Sequence, residues 1–105
     1  MTSFGVSTWL WTSPLDEQRL SELAPRIAGW GFDLVELPIE DVTDWDPARA
    51  AAILASYGLG ATTCAVMSAE RDLTTNDPAV TAATQAYLRA CVDAAVVVGS
   101  AVVAG

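Results

Sequence analysis

The sequence contains no histidine and no lysine. Within these residues that excludes a histidine general base, a histidine metal ligand and a Schiff-base lysine. Positive charge is scarce as well: Arg19, Arg26, Arg49, Arg71 and Arg89 stand against 13 acidic residues, for a net charge of −8. That balance argues against nucleic acid or an anionic membrane as a partner, since both select basic surfaces. Cysteine is limited to Cys64 and Cys91, one in a predicted strand and one in a predicted helix. Their separation does not suit a zinc or redox pair, and they read as reduced thiols of a cytoplasmic protein. The opening MTSFGVSTWL has no basic stretch ahead of an apolar one, so no signal peptide is expected. The most apolar segment, residues 94–105, is shorter than the ~20 residues needed to cross a bilayer. A soluble, cytoplasmic chain is the expectation.

What is present is enough for one core. The chain has 105 residues, 52% hydrophobic and 8% aromatic, which suits one small globular domain and not a disordered segment. The segment RIAGWGFDLVEL, residues 26–37, sets the plan. Ile27 and Trp30 close an apolar helical face, Gly29 and Gly31 supply the stop, and residues 32–37 read as a buried parallel strand opened by Asp33. Glu36 is the exception in that strand. A carboxylate near the carboxyl end of a buried strand needs a partner or a polar cavity, and in parallel α/β folds that end is where ligands bind.

The same plan repeats along the chain. Strands are expected at about residues 3–8, 32–37, 60–66 and 101–104, and helices at about 16–29, 47–57 and 78–97. Alternation places Gly5, Ser7 and Trp9 on one face of the first strand and Phe4, Val6 and Thr8 on the other. Pro25 should kink or restart the first helix. Asp46-Pro47 and Asp77-Pro78 look like N-caps followed by first-turn prolines, and Gly58 and Gly99 like C-terminal stops. In the third helix Val80, Ala83, Tyr87, Cys91 and Val92 form the expected buried stripe. Strand starts about 30 residues apart are the length of βαβ units, which give a parallel sheet. The expected fold is therefore α/β, (βα)3 plus a fourth parallel strand, half of an eight-stranded barrel. Such a barrel takes ~250 residues, so the chain is expected to be the amino-terminal part of something larger.

Four segments carry a resemblance: GVSTWLWTSPL, RIAGWGFDLVELP, the stretch from Thr63 through Cys64 to Asp72, and the closing GSAVVAG. In this order they resemble the amino-terminal part of the ketose 3-epimerases. These form the D-tagatose and D-psicose 3-epimerase group of the xylose isomerase-like TIM barrels, in the sugar phosphate isomerase/epimerase superfamily. The resemblance implies a sugar isomerase that exchanges the C3 proton of a ketose through an enediolate. It also implies a divalent metal, manganese, cobalt or magnesium, at the carboxyl end of the barrel. In the family that metal is held by two glutamates, an aspartate and a histidine on later strands. No catalytic residue and no metal ligand is thus expected within residues 1–105, and this chain alone is expected to be inactive and to bind no metal.

The resemblance also implies substrate-side positions: Ser7, Trp9, Trp11, Glu36 and Cys64. Ser7 falls where the family places an aromatic residue against the substrate. Trp11 matches a family tryptophan in register, Leu15 or a neighbour replaces another, and Cys64 matches a position near the terminal hydroxyl of the sugar in some members. Each has a plainer reading. Trp9 and Trp11 can cap the barrel mouth; Ser7 can be a small residue in a tapering interior; Cys64 can be a small buried hydrophobe. Glu36 can pair with an arginine from a later strand or contact a sugar hydroxyl. The acidic run Glu40 to Asp46 reads as a solvated loop and helix cap. The expected partners are a ketose in the whole enzyme and further copies of it, with no nucleic acid and no membrane. A competing reading is a complete, non-catalytic half-barrel acting as a binding or assembly module, whose open edge strands drive association.

Overall fold

The computed structural model of the chain describes residues 2–105. Four parallel strands lie in the order β1-β2-β3-β4: β1 Gly5–Ser7, β2 Leu34–Ile39, β3 Gly60–Ala65 and β4 Val103–Ala104. Helices α1 Glu17–Gly29, α2 Pro47–Ser56 and α3 Pro78–Val98 connect them. The strand order never reverses. With crossovers of one hand, every helix then falls on the same face, as in a barrel and unlike a doubly wound sheet. One apolar core results, joining Val35, Leu37, Ile39, Ala61 and Ala65 of the sheet to Leu20, Ala24, Ile27, Ala50, Leu54, Tyr87 and Cys91 of the helices. The match to the amino-terminal part of a TIM barrel expected from the sequence is thus present.

The register divides the strands cleanly. Val6 pairs with Val35 and Val35 with Ala61 on the helix-covered face, while Ser7 pairs with Glu36 and Glu36 with Thr62 on the other. Gly5 and Gly60 flank Leu34 on that second face. A Cβ on Gly60 would stand 2.6 Å from Leu34 Cδ2, so glycine there makes room for the leucine. Large residues from one strand flanked by small ones from its neighbours are how barrel interiors fill.

Several boundaries differ from the sequence expectation. β1 stops at Ser7, because Thr8–Leu10 turn into a 3-10 helix: at its start Ser7 Oγ accepts from Trp9 N–H at 3.2 Å, and at its end Thr8 O accepts from Trp11 and Thr12 N–H at 3.0 Å. Trp9 and Thr8 therefore leave the strand alternation. β2 starts and ends two residues later than expected and runs through Pro38. Proline is tolerated there because β1 has already ended beside Glu36, and the Pro38 carbonyl is taken by the Trp45 indole N–H at 3.0 Å.

Pro25 neither ends nor restarts α1; it lies inside one continuous element. Pro25 and Ser21, whose carbonyl it deprives of a donor, are both exposed, so water can meet the freed group. The buried stripe of α3 is Thr84, Tyr87, Cys91 and Ala95: Tyr87 and Cys91 are as expected, Val80 is half-buried, and Ala83 and Val92 face outward. The Asp-Pro starts are as read. Asp46 accepts from Arg49 N–H at 2.9 Å and Asp77 from Ala79 N–H at 2.9 Å. β4 is shorter than expected, two exposed residues.

Candidate functional site

The face of the sheet not covered by helices carries a polar file at its carboxyl end. Ser7, Glu36 and Thr62 lie side by side in one register row. Two residues further on, Pro38, Cys64 and Ala104 form the next row. Residues two apart on a strand share a face, so Ser7, Glu36 and Cys64 are brought together, joined by Thr62. All four are half-buried. The sequence offers no reason to single out Thr62; only the register does so.

Cys64 is a free thiol. Burial pushes its pKa up, and the Glu36 carboxylate and then Cys91 add to the rise, so the thiol is protonated at neutral pH and acts as a small, weakly polar surface. Ser7 uses its hydroxyl oxygen on the Trp9 N–H, leaving its proton free to donate. Glu36 thus has a hydroxyl on each side and a neutral thiol above. Such a row can bind hydroxyls of a polyol.

Trp9 and Trp11 part company. Trp9 Nε1–H donates to Glu40 Oε2 at 3.4 Å, just beyond the end of β2, which keeps it at the mouth above the polar file. Trp11 turns instead along α1. Its ring stacks on Trp30 with centroids 5.6 Å apart and 27° between planes, beside Arg19, Glu22 and Arg26. The structure therefore gathers Ser7, Trp9, Glu36 and Cys64 and sets Trp11 on the flank.

The acidic run is more than a solvated loop. Asp46 caps α2, and its own N–H is taken by Glu17 Oε1 at 2.8 Å. Asp41 accepts from the N–H and Oγ1–H of Thr43, which hold its carboxyl below the usual range. Glu40 accepts from Ser13 Oγ–H at 2.6 Å as well as from Trp9. Behind it stands Arg71, whose two guanidinium arms donate to Glu40 O and Val66 O at 2.8 Å each. The guanidinium carbon lies 3.6 Å from the centre of the Tyr87 ring, and the Tyr87 hydroxyl accepts from Val66 N–H and donates to Ile39 O. Neither Arg71 nor Glu40 is among the site residues expected from the sequence. The one available signal is an arginine in an otherwise cation-poor chain, placed just after a strand.

Among the described residues no three His, Cys, Asp or Glu side chains converge as a metal site. One carboxylate and one protonated thiol on this face do not make a fit for a divalent cation. No helix among the described residues is long and apolar enough to cross a membrane.

No protein-family model matches the sequence. A ketose 3-epimerase of Arthrobacter globiformis is 33% identical over 89 residues, which are 85% of this chain and 31% of that protein. The structure of a D-allulose 3-epimerase from Methylomonas sp., solved with D-allulose, superposes with a TM-score of 0.89 at 25% identity, over 96% of this chain and 35% of that one. An L-ribulose 3-epimerase superposes with a TM-score of 0.82 at 28% identity, over 98% of this chain and 35% of that one. The chain thus spans about a third of the length of the relatives it matches.

Proposed function

We propose that this chain, which matches the amino-terminal part of the ketose 3-epimerases in sequence and fold, supplies the sugar-facing wall of an enzyme that inverts C3 of a ketose. The observation that carries the reading is the file Ser7, Glu36, Thr62 and Cys64 at the carboxyl end of a half-open sheet, the end where barrel enzymes bind substrate. Ser7, Glu36 and Thr62 hydrogen-bond sugar hydroxyls, Trp9 presents an apolar surface to the ring carbons, and Cys64 narrows the pocket in the row above them. Proton exchange at C3 needs an acid–base pair and, in this reading, a divalent cation that stabilises charge on the substrate oxygens. Neither is assigned to this chain. Both belong to residues contributed by the rest of the barrel, in the manner the family resemblance implies, and such an enzyme works in the cytoplasm as a homo-oligomer.

The test is a chimera joining residues 1–105 to the remainder of the Arthrobacter ketose 3-epimerase. With manganese or cobalt it should epimerise a ketose at C3, followed by exchange of the C3 hydrogen with deuterated water. The 105-residue chain alone should not. A folded chimera that binds metal yet exchanges no C3 hydrogen across a panel of free ketoses would overturn the proposal.

A second reading, an assembly module without chemistry, draws on one feature: Phe4 and Leu10 at the β1 edge and Val102 and Val103 at the β4 edge are exposed. It requires the purified chain to associate. A monodisperse monomer in sedimentation equilibrium would remove it.

A further inference from the structure

We propose that Glu40 is a positioning residue whose carboxylate sets the seat of the Trp9 indole at the mouth of the sheet, with Arg71 holding Glu40 in place from behind. This rests on the ketose reading in one respect: the seat of Trp9 selects substrate only if a sugar is what the mouth receives.

Three facts carry the proposal. The first is that packing alone does not fix the indole, since Trp9 is 43% exposed. The capping bond from Trp9 N–H to Ser7 Oγ orders the backbone of the 3-10 turn but leaves the ring free to rotate. The second is that one oxygen of Glu40 meets the loop after β1 at two points, Trp9 Nε1–H and Ser13 Oγ–H. A single acceptor shared by donors four residues apart closes the loop over itself: the Ser13 bond, at 2.6 Å, has the length of a charge-assisted hydrogen bond, and the Trp9 bond, at 3.4 Å, is the longer of the two. The third is that Glu40 is itself anchored. Arg71 bridges Glu40 O to Val66 O, tying the ends of β2 and β3 together, and its guanidinium rests on Tyr87 of α3. Tyr87 in turn bonds the backbone of both strand ends. The chain of contacts runs from the first loop through Glu40 and Arg71 to α3, so three successive strand-to-helix connections share one frame. A planar, five-donor guanidinium can make that bridge; a lysine ammonium offers no such fork.

The indole N–H signals of the 15N-labelled chain give the test. Trp9→Phe identifies the Trp9 signal, and Trp45, bonded to Pro38 O, serves as an internal reference for the fold. Glu40→Ala should move the Trp9 signal upfield to that of a water-solvated indole and leave Trp45 in place, while Glu40→Gln, which keeps an acceptor, should restore most of the shift. Ser13→Ala leaves Glu40 to Trp9 alone and should move the signal the other way. A Trp9 signal unmoved in Ser13→Ala, which removes the competing donor, overturns the proposal even where Glu40→Ala fails to fold. In an active chimera Glu40→Ala should raise KM for D-allulose severalfold with a smaller change in kcat; equal changes in both would remove the positioning role. If the Trp9 signal responds to Glu40 while the chimera is inert, the tether stands and the ketose reading falls.

Discussion

The two faces of the sheet differ more than any two segments of the chain. Along β2, Val35, Leu37 and Ile39 are 0%, 0% and 3% exposed, whereas on the other face Leu34 and Glu36 are half-buried and only Pro38, at the strand's end, is buried. One face builds the core and the other presents chemistry, and neighbouring residues of one strand serve opposite ends. The difference separates stability from binding in a way that substitutions can probe. Leu37→Ala should lower the unfolding free energy by about 2–5 kcal/mol, the range for emptying a packed core position, read by urea titration. Leu34→Ala, on the open face, should cost less than half as much. Equal losses would mean the open face is packed as tightly as the covered one, and the comparison would break.

Tyr87 lies where the two faces meet the mouth, and its hydroxyl is the next largest lever. It is 8% exposed and satisfies both Val66 N–H and Ile39 O. Tyr87→Phe leaves those two backbone groups without a partner, and should cost about 1–3 kcal/mol. Burial pushes the Tyr87 pKa up to about 12 from an ordinary 10, with Arg71 opposing weakly. The folded state thus holds the phenolic proton more tightly than the unfolded state does. Its contribution is complete below pH 10 and is lost as pH rises from there towards 12. Denaturant titrations across that window should show a fall in stability that Tyr87→Phe does not share.

The helix-covered face is the more legible of the two. Periodicity of 3.6 in α1, the Asp-Pro starts of α2 and α3 and the glycine stops at Gly58 and Gly99, with φ of 68° and 75°, are local signals, and they place those elements. Strand ends are not legible, because whether Pro38 breaks β2 depends on where its neighbour β1 stops, a fact of the sheet and not of the segment. In α3, hydrophobicity favours Val92 as a core residue; helical spacing from Thr84 selects Ala95 instead, and Thr84 is polar. At the mouth, the file of Ser7, Glu36 and Cys64 can be suspected from strand position, whereas Thr62 joins it only through register. Trp9 and Trp11, two residues apart, diverge because Glu40 and Trp30, remote in sequence, take one indole each.

A smaller effect concerns how the helix layer is started. Asp46 accepts from Arg49 N–H and so closes the first turn of α2. Asp46→Ala should destabilise the chain by about 0.5–2 kcal/mol, the usual loss of an N-cap. Thr62→Ala on the open face should stay within about 0.5 kcal/mol, the range for positions outside the core. Thermal melts of the two variants side by side would invert that order if the open face were structural after all.

The weakest expected effect reports directly on the open face. The Cys64 thiol is held up first by burial and then by the Glu36 carboxylate. Glu36→Gln removes the charge but keeps the shape, so the Cys64 pKa should fall and more thiolate should be present at pH 8. Alkylation by iodoacetamide should then speed up by less than about tenfold, because a tenfold gain in thiolate needs about 1.4 kcal/mol of interaction, more than two partly solvated groups supply. Cys91 is buried in the core and gives no competing fast phase while the chain is folded. Added salt should shrink the difference between Glu36→Gln and the parent, because a charge acting across a half-buried face is screened over about 10 Å at 0.1 M. Identical rates at low salt would mean that the Glu36 carboxylate is turned away from Cys64 in solution. The two would then not line one pocket, and the sugar-facing wall would lose its upper row.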